Sequence, residues 1–121
     1  MKTRAFDLIE NRWREDYIVS PAGSIFQTTL YKMDLWELEA RPNWKLSRFP
    51  GIVDKDGNDI FEHCIIDDTI RRYVVAYDPD TFEFYLKHLK KANRRALMKN
   101  MSEHYTIIGN VFENPELLEV E

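Results

Sequence analysis

A mainly β chain of the α+β class is what this sequence predicts, with one inserted amphipathic helix. Three observations carry that expectation. The second half holds runs of β-branched and aromatic residues that alternate with polar ones and are bounded by turn residues. The first half repeats the pattern more weakly. Only one stretch, about residues 86–101, changes to a spacing of three to four.

In chain order, residues 2–6 and 24–31 read as strands, the second through Ile25, Gln27, Thr28, Thr29 and Leu30. Leu35-Trp36-Glu37-Leu38-Glu39 fits strand or helix. Ala40-Arg41-Pro42-Asn43 interrupts a charged stretch with a proline and marks a seam within the single 121-residue domain. A smaller N-terminal β subdomain is therefore expected over 1–45, and the larger part over 46–121.

Asp56-Gly57-Asn58 precedes the apolar run Ile60 to Ile66, and Gly57 supplies the positive φ that a tight turn demands. Arg72-Tyr73-Val74-Val75-Ala76-Tyr77 places Tyr73, Val75 and Tyr77 on one strand face. Asp78-Pro79-Asp80-Thr81 then turns the chain, and Phe82, Phe84 and Leu86 alternate back, which makes a β-hairpin. Next, Leu89, Ala92, Ala96 and Leu97 recur at helical spacing among good helix formers. Residues 105–112 return to a strand pattern, in which Gly109 marks a bulge or a close backbone approach. Asn114-Pro115-Glu116 reads as a cap, a first-turn proline and an acid at a helix start.

The composition restricts function. With 17 Lys and Arg against 21 Asp and Glu the net charge is −4, which excludes nucleic-acid binding through overall basicity. The single Cys64 excludes an internal disulfide framework and a multi-cysteine zinc site. The first residues lack the apolar core of a signal peptide, and no apolar run approaches the ~20 residues of a membrane-spanning helix. A soluble, cytoplasmic protein with no membrane partner is the expectation.

Catalytic and metal chemistry find little material. The acidic stretch 54–59 fails the EF-hand pattern, since counting from Asp54 the sixth residue is Asp59 and the twelfth is Ile65. His63 and Cys64, adjacent in a strand, point to opposite faces and do not share a metal. No nucleophile elbow and no phosphate-cradling glycine loop occurs. The expectation is a non-enzyme with no cofactor, no metal and no small-molecule substrate.

Two features bear on partners. Lys87, Lys90, Lys91, Arg94, Arg95 and Lys99 form an acid-free basic segment. On a helix face it offers a nucleic-acid contact over 87–99, or else a solvated face or one that docks on an acidic neighbour. All three tryptophans lie in the first 44 residues. Trp13, Tyr17, Trp36 and Trp44, with Phe26 and Tyr31, exceed what a small subdomain readily covers, which points to an interface and a homo-oligomer.

Residues 49–62 (FPGIVDKDGNDIFE), residues 107–118 (IIGNVFENPELL) and Arg4-Ala5-Phe6-Asp7 together resemble motifs of the YopX family of phage and prophage proteins. The resemblance implies a small, largely β protein with an SH3-like, partly open barrel in the C-terminal part, in the cytoplasm of a phage or prophage host. It implies no catalytic residues. Gly57, Gly109, Asn110, Asn114 and Pro115 are read as scaffold positions within these motifs. One departure stands out: after Glu62 the family pattern has Gly-Asp, and this chain has His63-Cys64.

Overall fold

Strands joined by turns that short polar residues close make up the computed structural model, which describes residues 2–31, 35–89, 94–97 and 99–118. The chain divides into two units, Thr3–Ser47 and Met1–Lys2 with Arg48–Glu121.

The first unit contains β1 (Thr3–Asp7), β2 (Arg12–Arg14), β3 (Tyr17–Val19), β4 (Ile25–Tyr31), β5 (Leu35–Ala40) and β6 (Trp44–Arg48), whose last residue reaches the unit boundary. They form two three-stranded sheets, ordered β2-β1-β6 and β3-β4-β5. The β1–β2 turn forms because the Asp7 carboxylate accepts the backbone N–H groups of Ile9 and Glu10. Ala5, Ile25 and Trp44 make the core, with Tyr17 and Leu46 against it. The 35–39 stretch, open to two readings in sequence, is strand β5, which pairs along its length with β4.

In the second unit β7 (Cys64–Asp67), β8 (Arg72–Asp78), β9 (Glu83–His88), β10 (Arg94–Ala96) and β11 (Thr106–Asn110) form one sheet ordered β10-β9-β8-β7-β11. The β8–β9 hairpin pairs Tyr73 with His88 through to Asp78 with Glu83. Ile52, Ile60, Phe61, Cys64, Ile66, Tyr73, Val75, Leu86 and Tyr105 form the core. The apolar run before residue 64 packs there without joining the sheet, because the ladder starts at Cys64. In the 54–59 loop the Asp54 carboxylate accepts the N–H groups of Asp56 and Asn58, and Gly57 takes φ +85°.

Two expectations are corrected. Among the described residues of 86–101 there is no amphipathic helix. Leu86 is a strand residue of β9, Arg94–Ala96 form β10, and Lys99–His104 make a short 3-10 helix. The helical spacing there rested on two leucines and two alanines, a stripe with little apolar area to bury. Extending the sheet instead keeps Leu86 at 1% exposure beside Val75 and adds a row of ladder hydrogen bonds. The SH3-like barrel is also absent. β10 and β11 are the two ends of an open sheet and do not pair with each other, and the two sheets of the first unit are open as well. The described residues are therefore all-β apart from short 3-10 helices at Lys99–His104 and Pro115–Leu118.

Candidate functional site

The basic segment becomes an edge of the five-stranded sheet, and that placement separates its charges. In β10, Arg94 lies opposite Lys87, Arg95 opposite Leu86, and Ala96 opposite Tyr85. Successive strand residues face opposite sides. Accordingly the Arg94 guanidinium lies 4.1 Å from the Tyr85 ring centroid and donates to the Asp78 carboxylate at 2.8 Å. That bond raises the Arg94 pKa and lowers the Asp78 pKa. Arg95 instead donates to the Tyr73 hydroxyl at 3.2 Å, which raises its pKa, and approaches Asp68 at 3.7 Å. Lys87 is exposed on β9, and Lys99 is exposed at the start of the 3-10 helix. Lys90 and Lys91 lie outside the described residues. Of the described cations only Arg94 and Arg95 lie on the edge strand, on opposite faces, so no single face gathers the four.

Beside this edge lies an open groove of about 390 Å³ lined by Pro50, Ile52, Glu83, Phe84, Ala96 and Leu97. All three residues of β10 are exposed, and among the described residues no strand pairs with its outer side. The groove joins residues from three separate segments of the chain, so no local pattern in the sequence discloses it.

The aromatic residues of the first unit are turned mostly to packing. Trp44 is 6% exposed, with the Arg14 guanidinium 4.6 Å and that of Arg41 5.9 Å from its ring. Trp13 is half-buried, edge-on to Phe6 at 4.9 Å and beneath Arg4 at 3.9 Å. Tyr17 is half-buried, its hydroxyl 2.9 Å from the Thr3 hydroxyl. The Trp36 side chain lies outside the described residues, although its backbone is part of β5, opposite Leu30. Among the described residues of this unit the exposed large apolar side chains are aliphatic: Ile9 at 75% and Ile18 at 45%, with Leu8 and Val19 beside them in sequence. Sequence reasoning missed these four because it followed ring size.

A pocket of about 340 Å³ also opens in this unit, its walls including Asp7, Glu10, Arg14, Gln27, Arg41 and Trp44. Arg14 is 7% exposed. It grips Asp16 with two bonds of 3.0 and 2.8 Å and donates to Glu10 at 2.5 Å, while Asp7 lies 3.6 Å away. The Arg14 bond lowers the Asp16 pKa against the opposing effect of burial. Burial pushes the Asp7 carboxyl up, but the N–H groups of Glu10 and Ile9 and the Arg14 charge outweigh it, so its pKa is also low. Gln27 completes the network, donating to Asp16 and accepting from Arg41. Groups tied this fully hold a fold together; a general acid or base needs a pKa near working pH.

Apart from Gly57 in the 54–59 loop, the scaffold positions Gly109, Asn110, Asn114 and Pro115 cluster at the end of β11. The register with β7 slips between Ile107 and Gly109, and a Cβ at 109 would fall 2.5 Å from the Asn114 side-chain oxygen. That oxygen accepts the Asn110 N–H, while the Asn110 side chain caps Phe112 and Glu113. Among the described residues no group of three or more His, Cys, Asp or Glu is arranged to hold a metal ion. No helix among them is long and apolar enough to cross a membrane.

Residues 2–119 match the family model described as YopX protein. No curated protein matches the chain. Two solved structures are similar in fold. A crystal structure of an Enterococcus faecalis protein is 24% identical with a TM-score of 0.62, over 98% of this chain and 97% of that one. The X-ray structure of protein YopX from Bacillus subtilis is 23% identical with a TM-score of 0.57, over 97% of each chain.

Proposed function

The chain belongs to the YopX protein family, and we propose that it acts as a non-enzymatic phage or prophage accessory protein, working in the host cytoplasm by binding a second copy of itself. The observation that carries this reading is the open end of the five-stranded sheet, where the exposed strand β10 borders an open groove. Unpaired strand edges template pairing with another chain, and folds that stay monomeric usually blunt them. The exposed aliphatic groups Ile9 and Ile18 add apolar surface of the kind that partners cover. A non-catalytic role is supported by the state of the buried carboxylates, whose pKa values are held low by structural bonds.

The alternative, nucleic-acid binding through residues 87–99, draws on the same basic edge. Two of its arginines already face carboxylates, Arg94 with Asp78 and Arg95 with Asp68, which reduces the charge left for phosphates. Light scattering on a size-exclusion column and a gel shift at two salt concentrations separate the readings. A dimer or larger species at tens of micromolar supports self-association, and a monomer overturns it. A salt-sensitive shift of DNA or RNA by the monomer transfers the function to the alternative.

A further inference from the structure

Strand β3 forms one edge of the sheet β3-β4-β5, and among the described residues no strand pairs with its outer side. Its residues, Tyr17-Ile18-Val19, include no charge and no proline, the devices that blunt an edge. Hydrogen bonds at either end of the strand fix which main-chain groups face outward. The Thr28 N–H donates to the Asp16 carbonyl and the Ser20 N–H to the Ser24 carbonyl, both at 2.9 Å, so residues 16 and 20 face β4. In an antiparallel pair, residues two apart face the same way. Ile18, opposite Phe26, therefore turns its main-chain groups to β4, while Tyr17 and Val19 turn theirs to the open side. The side chains on this edge are apolar as well, with Ile18 45% and Val19 37% exposed. Ile18 stands beside Phe26 and Phe26 beside Ala40, an apolar row across one face of the sheet. On the other face Tyr17 packs against the core of its unit, and its hydroxyl meets that of Thr3, which holds the edge in a fixed conformation.

We infer that β3 pairs antiparallel with β3 of a second copy, about a two-fold axis at Ile18. This rests on the self-association proposed above and adds to β10 a second surface, in the first unit. Tyr17 of each copy lies opposite Val19 of the other, and these two pairs exchange main-chain hydrogen bonds through the groups that face outward. Ile18 meets Ile18 across the axis as a close pair without hydrogen bonds, which carries the row of Ala40, Phe26 and Ile18 on into the second copy. The contact is isologous, each copy offering the same edge, and the main-chain bonds supply its affinity. Charge favours a second copy as the occupant. In this register the neighbouring acids Glu15 and Asp16 fall opposite Pro21 and Ser20 of the other copy, so no like charges oppose each other along the edge. A nucleic acid finds no cation within Glu15–Ser24.

The test is cross-linking of the full chain. Opposed residues of a pair without hydrogen bonds have Cα atoms about 4.5 Å apart, within the reach of a disulfide. With oxidised glutathione at tens of micromolar protein, Ile18→Cys is expected to form a covalent dimer at least tenfold faster than Ile9→Cys, a 75% exposed control on the β1–β2 turn. The wild type, whose Cys64 is buried, is expected to form none. Adding Val19→Pro to the Ile18→Cys variant removes one outward N–H from each copy, a change that strand edges tolerate, and is expected to return cross-linking to the rate of the control. Light scattering on the wild type reads self-association by itself. A self-associating wild type in which position 18 cross-links no faster than position 9, or in which the proline leaves the rate unchanged, overturns this inference and leaves the reading above standing. A wild type that is monomeric at tens of micromolar overturns both.

Discussion

His63 occupies a left-handed backbone position, φ 73°, where its N–H donates to the Val75 carbonyl and its carbonyl accepts from Val111. A side chain with a Cβ costs roughly 1–2 kcal/mol there, and the family pattern places glycine at this point. His63→Gly is therefore expected to stabilise the protein by about 0.5–1 kcal/mol, after loss of the ring contact with Phe112 at 5.0 Å. A lowered denaturation midpoint would show that the contact outweighs the strain. Gly109 is the converse case, because Gly109→Ala drives a Cβ into Asn114 and the cap it forms. A loss of about 2–3 kcal/mol in urea unfolding is expected. The low pKa values of Asp7, Asp16 and Asp54 set the pH response. Each folded-state value lies below the ordinary 3.8, so the unfolded chain takes up protons first on acidification. Stability is full above that value and falls as pH drops through the folded-state values. A urea midpoint that fell on raising the pH through this range would contradict the assignment.

The fate of residues 86–101 is decided at the level of the element. Helix propensity favours Lys, Arg, Ala and Leu there, but an apolar face of two leucines and two alanines gives a helix little to bury. β9 has a better outlet, since Leu86 reaches the core while Lys87 stays in water. Leu86→Ala should cost about 2–5 kcal/mol, as expected for a large buried side chain removed from a packed sheet. Arg94→Ala, which removes an exposed pair, should leave the melting temperature almost unchanged. Comparable losses from both changes would contradict the strand assignment.

For the whole molecule the proposed self-association through the open sheet edge is expected to depend on salt. The charges of Arg94 and Arg95 on that edge are screened as the Debye length falls from about 10 Å at 0.1 M to about 3 Å at 1 M salt. The dimer dissociation constant is expected to rise several-fold over that range when measured by light scattering. A constant that falls with salt would identify a mainly apolar interface instead.

Local chemistry made much of this protein legible in its sequence. The β8–β9 hairpin follows from alternation around Asp78-Pro79, the loop at Gly57 from its turn residues, and the family from motifs at residues 49–62 and 107–118. Each depends on neighbours a few positions apart. What a segment packs against was decided only in three dimensions. Whether 86–101 coils or pairs depends on β8, whether the sheet closes depends on β10 meeting β11, and whether Trp44 is displayed or buried depends on Ala5, Ile25 and Arg14. Those partners are far away in the chain, and a sequence pattern records the period of a face without recording what will cover it.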